Sequence, residues 1–451
     1  MRFAKDFART GITLVCVAAA STPARAQPTA DADALDRMLE SSARLPVVLA
    51  LVDARNAELR EARDRAMAAE ARVGAAARRP DPELKGELWG VPLARPLALR
   101  DSQTIMLGLR QSFPAWGSLD ARERAARADA AVATESIETR RQELAATARR
   151  AFAAYERADR EARIHLEHAG LTSRIVEVAR ALYAVGRGTQ QDLLDAEVEL
   201  SRLHLDVSGV EQQRRSAAAL LNALMGRAPD APIGPVPDAD ADAGPALDAG
   251  DEPAEAAEAR LDERRPELRA AEHAVARSAA ALDLAKREAR LPTVMVGADY
   301  WYMPMFEIKH GYGAMVSMSL PWLNPGRRDE VIAAERASAA ERSAREAQRV
   351  AARYQLRDAD SKVRAAREVL TLLHERVLAQ ARRSYEAAEA QYRAGKGGVA
   401  PVLAAARSYL QVRVDELRAL ADLETSRADY ARAAGLPATG LAAAPRAERG
   451  R

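Results

Sequence analysis

Apolar residues recur at helical spacing along most of this chain, and the period drops to two in only a few short stretches. The clearest change lies within 291–328. Leu291-Pro292 closes a helical run, because proline has no N–H and restricts the residue before it. Val294, Val296, Ala298 and Tyr300 then alternate with Thr293, Met295, Gly297 and Asp299. After a polar break, Ala314, Val316, Met318 and Leu320 alternate with Gly313, Met315, Ser317 and Ser319. A second copy comes earlier in the chain. Leu84, Gly86 and Leu88 alternate with Glu83, Lys85 and Glu87, while Ile105, Leu107 and Leu109 alternate with Thr104, Met106, Gly108 and Arg110. The pattern predicts two β-hairpins, at 83–113 and 293–320. Strands of about eight to ten residues are long enough to cross a bilayer when tilted, and Tyr300, Trp301 and Tyr302 stand where interfacial aromatics would. Hairpins packed on a soluble helical domain would alternate in the same way.

Outward from the hairpins the chain reads as helix. A leader at 31–46 is expected to be extended or frayed, and a helix at 47–79 ends before Pro80. A proline-interrupted loop at 91–102 separates the first two strands. A very long helical pattern follows Gly117 and is broken at Gly186-Arg187-Gly188-Thr189, glycine being the residue that ends helices in the left-handed conformation. The next helix, 190–225, stops at Gly226. Residues 227–262 are rich in proline, aspartate and alanine and form a linker. A helix at 263–290 leads into the second hairpin, and a second very long helix runs from Gly326 to the break at Gly395-Lys396-Gly397-Gly398. A last helix reaches Gly435, ahead of a disordered tail at 436–451.

The punctuation repeats. Tyr183 and Tyr392, Gly186 and Gly395, Leu194 and Leu403, Asp206 and Asp415, and Gly226 and Gly435 are all 209 positions apart, which marks 27–226 and 263–435 as two copies of one unit. The long helices, 119–184 and 328–393, would each span about 100 Å at about 1.5 Å per residue. The helices at 190–225 and 263–290, stacked end to end, would nearly match that length beside one of them, with 227–262 at the junction.

Composition narrows the class. Aromatic residues make up 4% of the chain and charged residues 29%, which suits long helices packed through small side chains rather than a thick core. Arg2, Lys5 and Arg9, the apolar run 11–20 and Ala24-Arg25-Ala26 have the layout of a secretory signal peptide at 1–26. Its removal takes away Cys16, the only cysteine, and with it any disulfide or thiolate metal site. It also takes away Arg2, Lys5, Arg9, Arg25 and Asp6, which leaves a net charge of about −1 and gives no electrostatic case for nucleic acid. No other stretch is long and apolar enough for a transmembrane helix, so membrane insertion would require a closed β-structure.

Several motifs together carry a resemblance. They are Arg265-Pro266-Glu267-Leu268 with Ala270-Ala271-Glu272, Leu291-Pro292 entering a strand, Ser319-Leu320-Pro321-Trp322 with Gly326-Arg327-Arg328, and Ala390-Gln391-Tyr392-Arg393-Ala394-Gly395. In these the chain resembles the outer-membrane factor family, the TolC-type export ducts, over essentially all of its mature length. The resemblance implies a mainly α chain with a small β part. Its long antiparallel helices would form a trimeric periplasmic α-barrel, and its four strands would join a shared 12-stranded transmembrane β-barrel in the outer membrane of a Gram-negative bacterium. It also implies no cofactor and, as partners, a periplasmic adaptor, an inner-membrane pump of the RND type and outer-membrane lipid. The adaptor would dock at the tunnel tips Gly186, Arg187, Gly188, Thr189, Gly395, Lys396, Gly397 and Gly398. Gln111-Ser112-Phe113-Pro114 with Gly117, and Tyr302-Met303-Pro304-Met305, look more like the heavy-metal efflux branch than the multidrug or secretion branches. Family members often carry two aspartates after the second tip. Here Pro401 and Ala404 stand there, and Asp192 and Asp195 follow the first tip instead, either as an entrance constriction or as ordinary helix N-terminal charges.

No catalytic constellation stands out. His374-Glu375 lacks the second histidine of a zinc-protease helix, and no phosphate loop or nucleophile elbow is present. His165 and His168 share a helix face, as a metal pair or as an interhelical pair. By strand parity Met106, Met295 and Met315 fall on the polar face. Thioethers there suit soft ions, but they also serve as gap-fillers. A multidrug or type I secretion duct of the same fold, and a periplasmic coiled-coil scaffold or adaptor, remain alternatives.

Overall fold

In the computed structural model, residues 30–91, 102–237, 252–304, 306–394 and 396–437 are described. The expected signal peptide at 1–26, nearly all of the expected loop at 91–102, the middle of the expected linker (238–251), residues 438–451, Met305 and Gly395 lie outside them. The helices are α1 (Ala30–Ser41), α2 (Leu45–Arg55), α3 (Ala57–Ala76), α4 (Ser118–Ala184), α5 (Gln190–Leu224), α6 (Ala254–Ala259), α7 (Leu261–Arg264), α8 (Pro266–Arg290), α9 (Gly326–Leu372), α10 (Leu378–Arg393) and α11 (Val399–Ala433).

The strands are β1 (Glu83–Trp89), β2 (Thr104–Phe113), β3 (Val294–Tyr302) and β4 (His310–Met318), and they form one antiparallel sheet in the order β1-β2-β3-β4. The register sets Leu84 opposite Leu109, Leu109 opposite Ala298 and Ala298 opposite Ala314, so the apolar set of every strand lies on one face. That face carries Leu84, Leu88, Leu107, Leu109, Val296, Tyr312, Val316 and Met318, all exposed in the single chain. The other face carries Glu83, Lys85, Glu87, Arg110, Asp299 and Ser317. Trp301 corrects the expected aromatic cluster. It points to this polar face, across from Gly311, while Tyr300 and Tyr302 stay on the apolar face, because neighbouring strand residues alternate sides.

The helices form four columns. α4 runs between a column made of α5 and α3 and a column made of α11 and α8, and α9 with α10 flanks the latter. The stacking differs from the one expected between 190–225 and 263–290. The end of α5 meets the start of α3, where Asn56 Nδ2 donates to the Leu224 carbonyl at 2.9 Å. The end of α11 meets the start of α8, where Gly435 packs against the Arg264 backbone. The two junctions are related by the 209-residue repeat. Each carries a core, one around Leu51, Leu144, Tyr155, Leu221 and Met225 and the other around Leu261, Leu268, Leu356, Leu423 and Tyr430. Two tyrosines tie linker segments onto these cores: Tyr155 donates to the Gly234 carbonyl at 2.9 Å and Tyr430 to the Glu252 carbonyl at 2.8 Å.

Four further expectations are corrected. The leader is helical as α1, because Leu39 is fully buried in the first core with Leu35 packed against it. The helix expected over 47–79 is broken at Asn56, whose side chain accepts from Glu58 N and Leu59 N and so begins a new helix. The long helix expected over 328–393 contains a π-turn at Leu373–Val377, a wider winding that leaves the rod continuous. The helix expected from 263 begins at Pro266, behind the short α6 and α7. Among the described residues, no helix is long and apolar enough to cross a membrane.

Candidate functional site: the two tips and the polar face of the sheet

The two hairpin turns lie together at the end of the helical columns farthest from the sheet. Ile175, Val176, Ala196, Tyr385, Tyr392, Val399, Val402 and Leu403 pack between α4, α5, α10 and α11 and hold them side by side. At the first tip, Gly186 is left-handed (φ 71°). Its N–H donates to the Tyr183 carbonyl at 3.0 Å and that of Arg187 to the Leu182 carbonyl at 2.9 Å, which closes α4. At the second tip, Lys396 N donates to the Gln391 carbonyl at 3.0 Å. Gly186, Arg187, Thr189, Lys396, Gly397 and Gly398 are exposed and Gly188 is half-buried, while Gly395 lies outside the described residues.

The helices that leave the tips start differently. Thr189 and Asp192 form a reciprocal capping box: Thr189 Oγ1 accepts from Asp192 N at 3.1 Å, and the Asp192 carboxylate accepts from Thr189 N at 3.3 Å and Thr189 Oγ1 at 2.7 Å. Hydrogen bonds from the Thr189 side chain, then from the backbones of Thr189 and Val399, hold the Asp192 carboxyl below its ordinary pKa. Asp195 accepts from Gln191 Nε2 at 2.8 Å and faces Arg407. In α11 the repeat places Gly398 and Pro401 where Thr189 and Asp192 stand, and the N-cap position Gly398 offers no capping side chain.

Above the tips, α4, α5 and α11 enclose a cleft of about 520 Å³ with Glu161 and His165 on its floor. His165 Nε2 is 4.0 Å from Glu161, and Arg407 holds Glu199 at 2.5 Å. His168 is buried nearby. Burial pushes its pKa down, with the charges of His165 and Arg413 acting in the same direction and Glu199 opposing. This is a packed polar seam between helices. Among the described residues no three His, Cys, Asp or Glu side chains gather as a metal site.

On the sheet, Met106, Met295 and Met315 all lie on the polar face but do not cluster. Met315 is opposite Gly297, one step from Met295, whereas Met106 is opposite Trp301 and farther along β3. Sequence reasoning grouped Trp301 with Tyr300 and Tyr302 and missed its place on the polar face, where its ring covers Gly311 and Gly313. A Cβ on Gly313 would overlap the indole.

Residues 48–227 and 259–436 match the model of the outer membrane efflux protein family, one segment for each repeat. The chain belongs to this family. It is a passive outer-membrane channel of tripartite efflux, not an enzyme, with a β part in the outer membrane and a helical barrel in the periplasm. Family members work as trimeric channels with an adaptor and an inner-membrane pump. Solved structures show the same fold. The outer-membrane channel OprN superposes with a TM-score of 0.71 at 19% identity, covering 88% of this chain and 90% of that one. CusC gives a TM-score of 0.74 at 18% identity with 89% and 94% covered, and VceC from Vibrio cholerae 0.70 at 17% with 87% and 96%. No curated protein matches the chain in sequence.

Proposed function

We propose that three copies of this chain pool their strands into one 12-stranded barrel, with outer-membrane lipid against the apolar face and efflux substrate passing along the polar one. One observation carries this reading: the sheet is open, β1 and β4 each have an unpaired edge, and large apolar side chains of every strand stand exposed on one face. In hydrocarbon such edges must pair, and closing a ring through neighbouring copies is the way to pair them. The exposed residues Ile332, Val350, Tyr354, Val369 and Leu372 on α9 and Leu194, Val198, Leu205 and Leu220 on α5 lie on the outermost columns, where neighbouring copies would meet. The tips 186–189 and 395–398 receive the periplasmic adaptor, Asp192 and Asp195 stand at the entrance, and an RND-type pump supplies the energy. The substrates include soft metal ions, with Met106, Met295 and Met315 as contacts on the polar face.

The test is native mass measurement of the mature protein extracted from membranes. A trimer that dissociates on heating is expected; a water-soluble monomer extracted without detergent would refute the assembly. Replacing the three methionines by leucine is expected to lower metal tolerance, and unchanged tolerance would remove the metal assignment alone.

A further inference from the structure

We propose that the polar face of the sheet carries, at its loop end, a binding site for organic cations built from the Trp301 indole, the Asp299 carboxylate and the Met106 and Met303 thioethers. The inference rests on the channel reading given above, in which this face lines the pore, and names a further substrate class and the residues that hold it.

The helices join the sheet at the start of β3 and the end of β4, so Tyr302 and His310 mark the opposite end, which a solute would reach last. Trp301 and Asp299 stand near that end, two residues apart on β3 and both on the polar face. Two glycines make room for the ring. Trp301 Cε3 lies 3.3 Å from where a Cβ of Gly311 would be, and the indole fills the space of a Cβ at Gly313. With both positions bare, the ring rests against β4 and is half-buried, its remaining surface open on the pore side. Thioethers flank it. Met106 is its cross-strand neighbour on β2, and Met303 Cε lies 3.7 Å from the Cβ position of Gly311.

Asp299 supplies the charge. It leans the other way, over β2, where a Cβ at Gly108 would overlap its Oδ1. Gly108 and Met106 are two residues apart and pair with Asp299 and Trp301, so carboxylate, thioether and indole occupy adjacent positions of one face. Asp299 Oδ1 is shielded from solvent, yet among the described residues it accepts no hydrogen bond. Lys85, beyond Gly108 in the same row, is paired with Glu87. Arg110 lays its stem over Gly297, with Cγ 3.2 Å from the Cβ position there. A shielded carboxylate without a donor is costly and favours a cation beside it. An indole attracts a cation through its quadrupole, and quaternary ammonium groups are suited to such a surface. Thioethers add polarizable apolar contact. A hard inorganic ion gains little from the indole and the thioethers, whereas an ammonium with apolar substituents gains from all three kinds of group. Three copies of the chain would set three such sites around the exit.

The experiment is a ligand-observed NMR titration of the mature protein in non-ionic detergent, with choline as the probe and 3,3-dimethylbutan-1-ol as its neutral isostere. Native mass and the β-sheet signal are read for every variant. Choline is expected to bind the parent more tightly than the isostere does. Trp301→Leu is expected to weaken choline binding about 2- to 30-fold, and Trp301→Phe by less, because a phenyl ring keeps part of the attraction. Gly313→Val, which keeps the indole but displaces it from its seat, is also expected to weaken binding. Asp299→Asn is expected to weaken it and to remove its dependence on salt. Arg110→Gln, which takes away a like charge, is expected to tighten it, and Trp116→Leu, at an exposed tryptophan outside the sheet, to leave it unchanged. An isostere that binds as well as choline would overturn the site. So would unchanged binding in Trp301→Leu or in Asp299→Asn, or an equal loss in Trp301→Phe and Trp301→Leu. Should Trp301→Leu fail to assemble, unchanged binding in Gly313→Val overturns it instead. A monomer that binds choline in the expected order would refute the assembly and keep the site. A trimer that does not bind choline would remove the site and leave the channel reading standing.

Discussion

Replacing Asn56 tests how one column is spliced from two helices. Its side chain is 6% exposed and acts in both directions, with Oδ1 accepting from Glu58 N at 2.9 Å and Leu59 N at 3.3 Å and Nδ2 donating to the Leu224 carbonyl at 2.9 Å. Alanine removes the cap of α3, a loss of about 1 kcal/mol, and leaves the last carbonyl of α5 without its partner, a loss of about 1–3 kcal/mol. The expected total is about 2–4 kcal/mol. Serine keeps a capping oxygen but is too short to carry a second group to the Leu224 carbonyl, so Asn56→Ser loses only the second part; aspartate caps but sets a carboxylate against the carbonyl and falls near alanine. The assay is guanidinium unfolding of the detergent-solubilised protein followed by the helical signal. A ranking with serine as costly as alanine, or an alanine variant within about 0.5 kcal/mol of the parent, would refute the splice as the source of stability.

Three further outcomes are expected. Gly226 and Gly435 are both left-handed (φ 66° and 67°), a conformation that costs alanine about 1–2 kcal/mol, but a Cβ at 435 would lie 2.8 Å from the Arg264 backbone whereas one at 226 would lie 3.2 Å from the Arg55 carbonyl oxygen. Gly435→Ala is therefore expected to lower the melting temperature more than Gly226→Ala. Gly313→Val is expected to drive the Trp301 ring off the sheet, at about 1–3 kcal/mol, and to make its fluorescence more accessible to acrylamide. His168 has a folded pKa below its ordinary 6.5, so the unfolded chain binds the extra proton first. Stability is full above about pH 6.5 and falls as pH drops toward the folded value; His168→Gln should flatten that slope in melts between pH 5 and 8.

The strands were legible because a face that must be apolar throughout imposes a period of two, and the repeat was legible because glycines follow the ends of α4, α5, α10 and α11 at matching positions. The splice at Asn56 was not. The run 47–52 and the helix after it share one continuous apolar pattern, and the cap residue is the only sign of a break. Leader α1 was hidden by its acidic residues, since only the buried Leu39 and the packed Leu35 reveal what it covers. The π-turn at Leu373–Val377 leaves no compositional mark. At the tips, the glycine turns and both aspartates could be read from sequence, but the approach of Asp192 to Val399 could not, because it depends on how two distant turns pack in space.

The open sheet also bears on how the molecule is made. A single chain carries its helical cores complete but holds a ribbon whose outer strands each lack a neighbour, so on the proposed assembly the final rungs would form only when another copy arrives. Biogenesis would then be second order or higher in chain concentration at its last step, and a half-finished ribbon, greasy on one side and unmatched at both borders, is the species a periplasmic chaperone would have to shield.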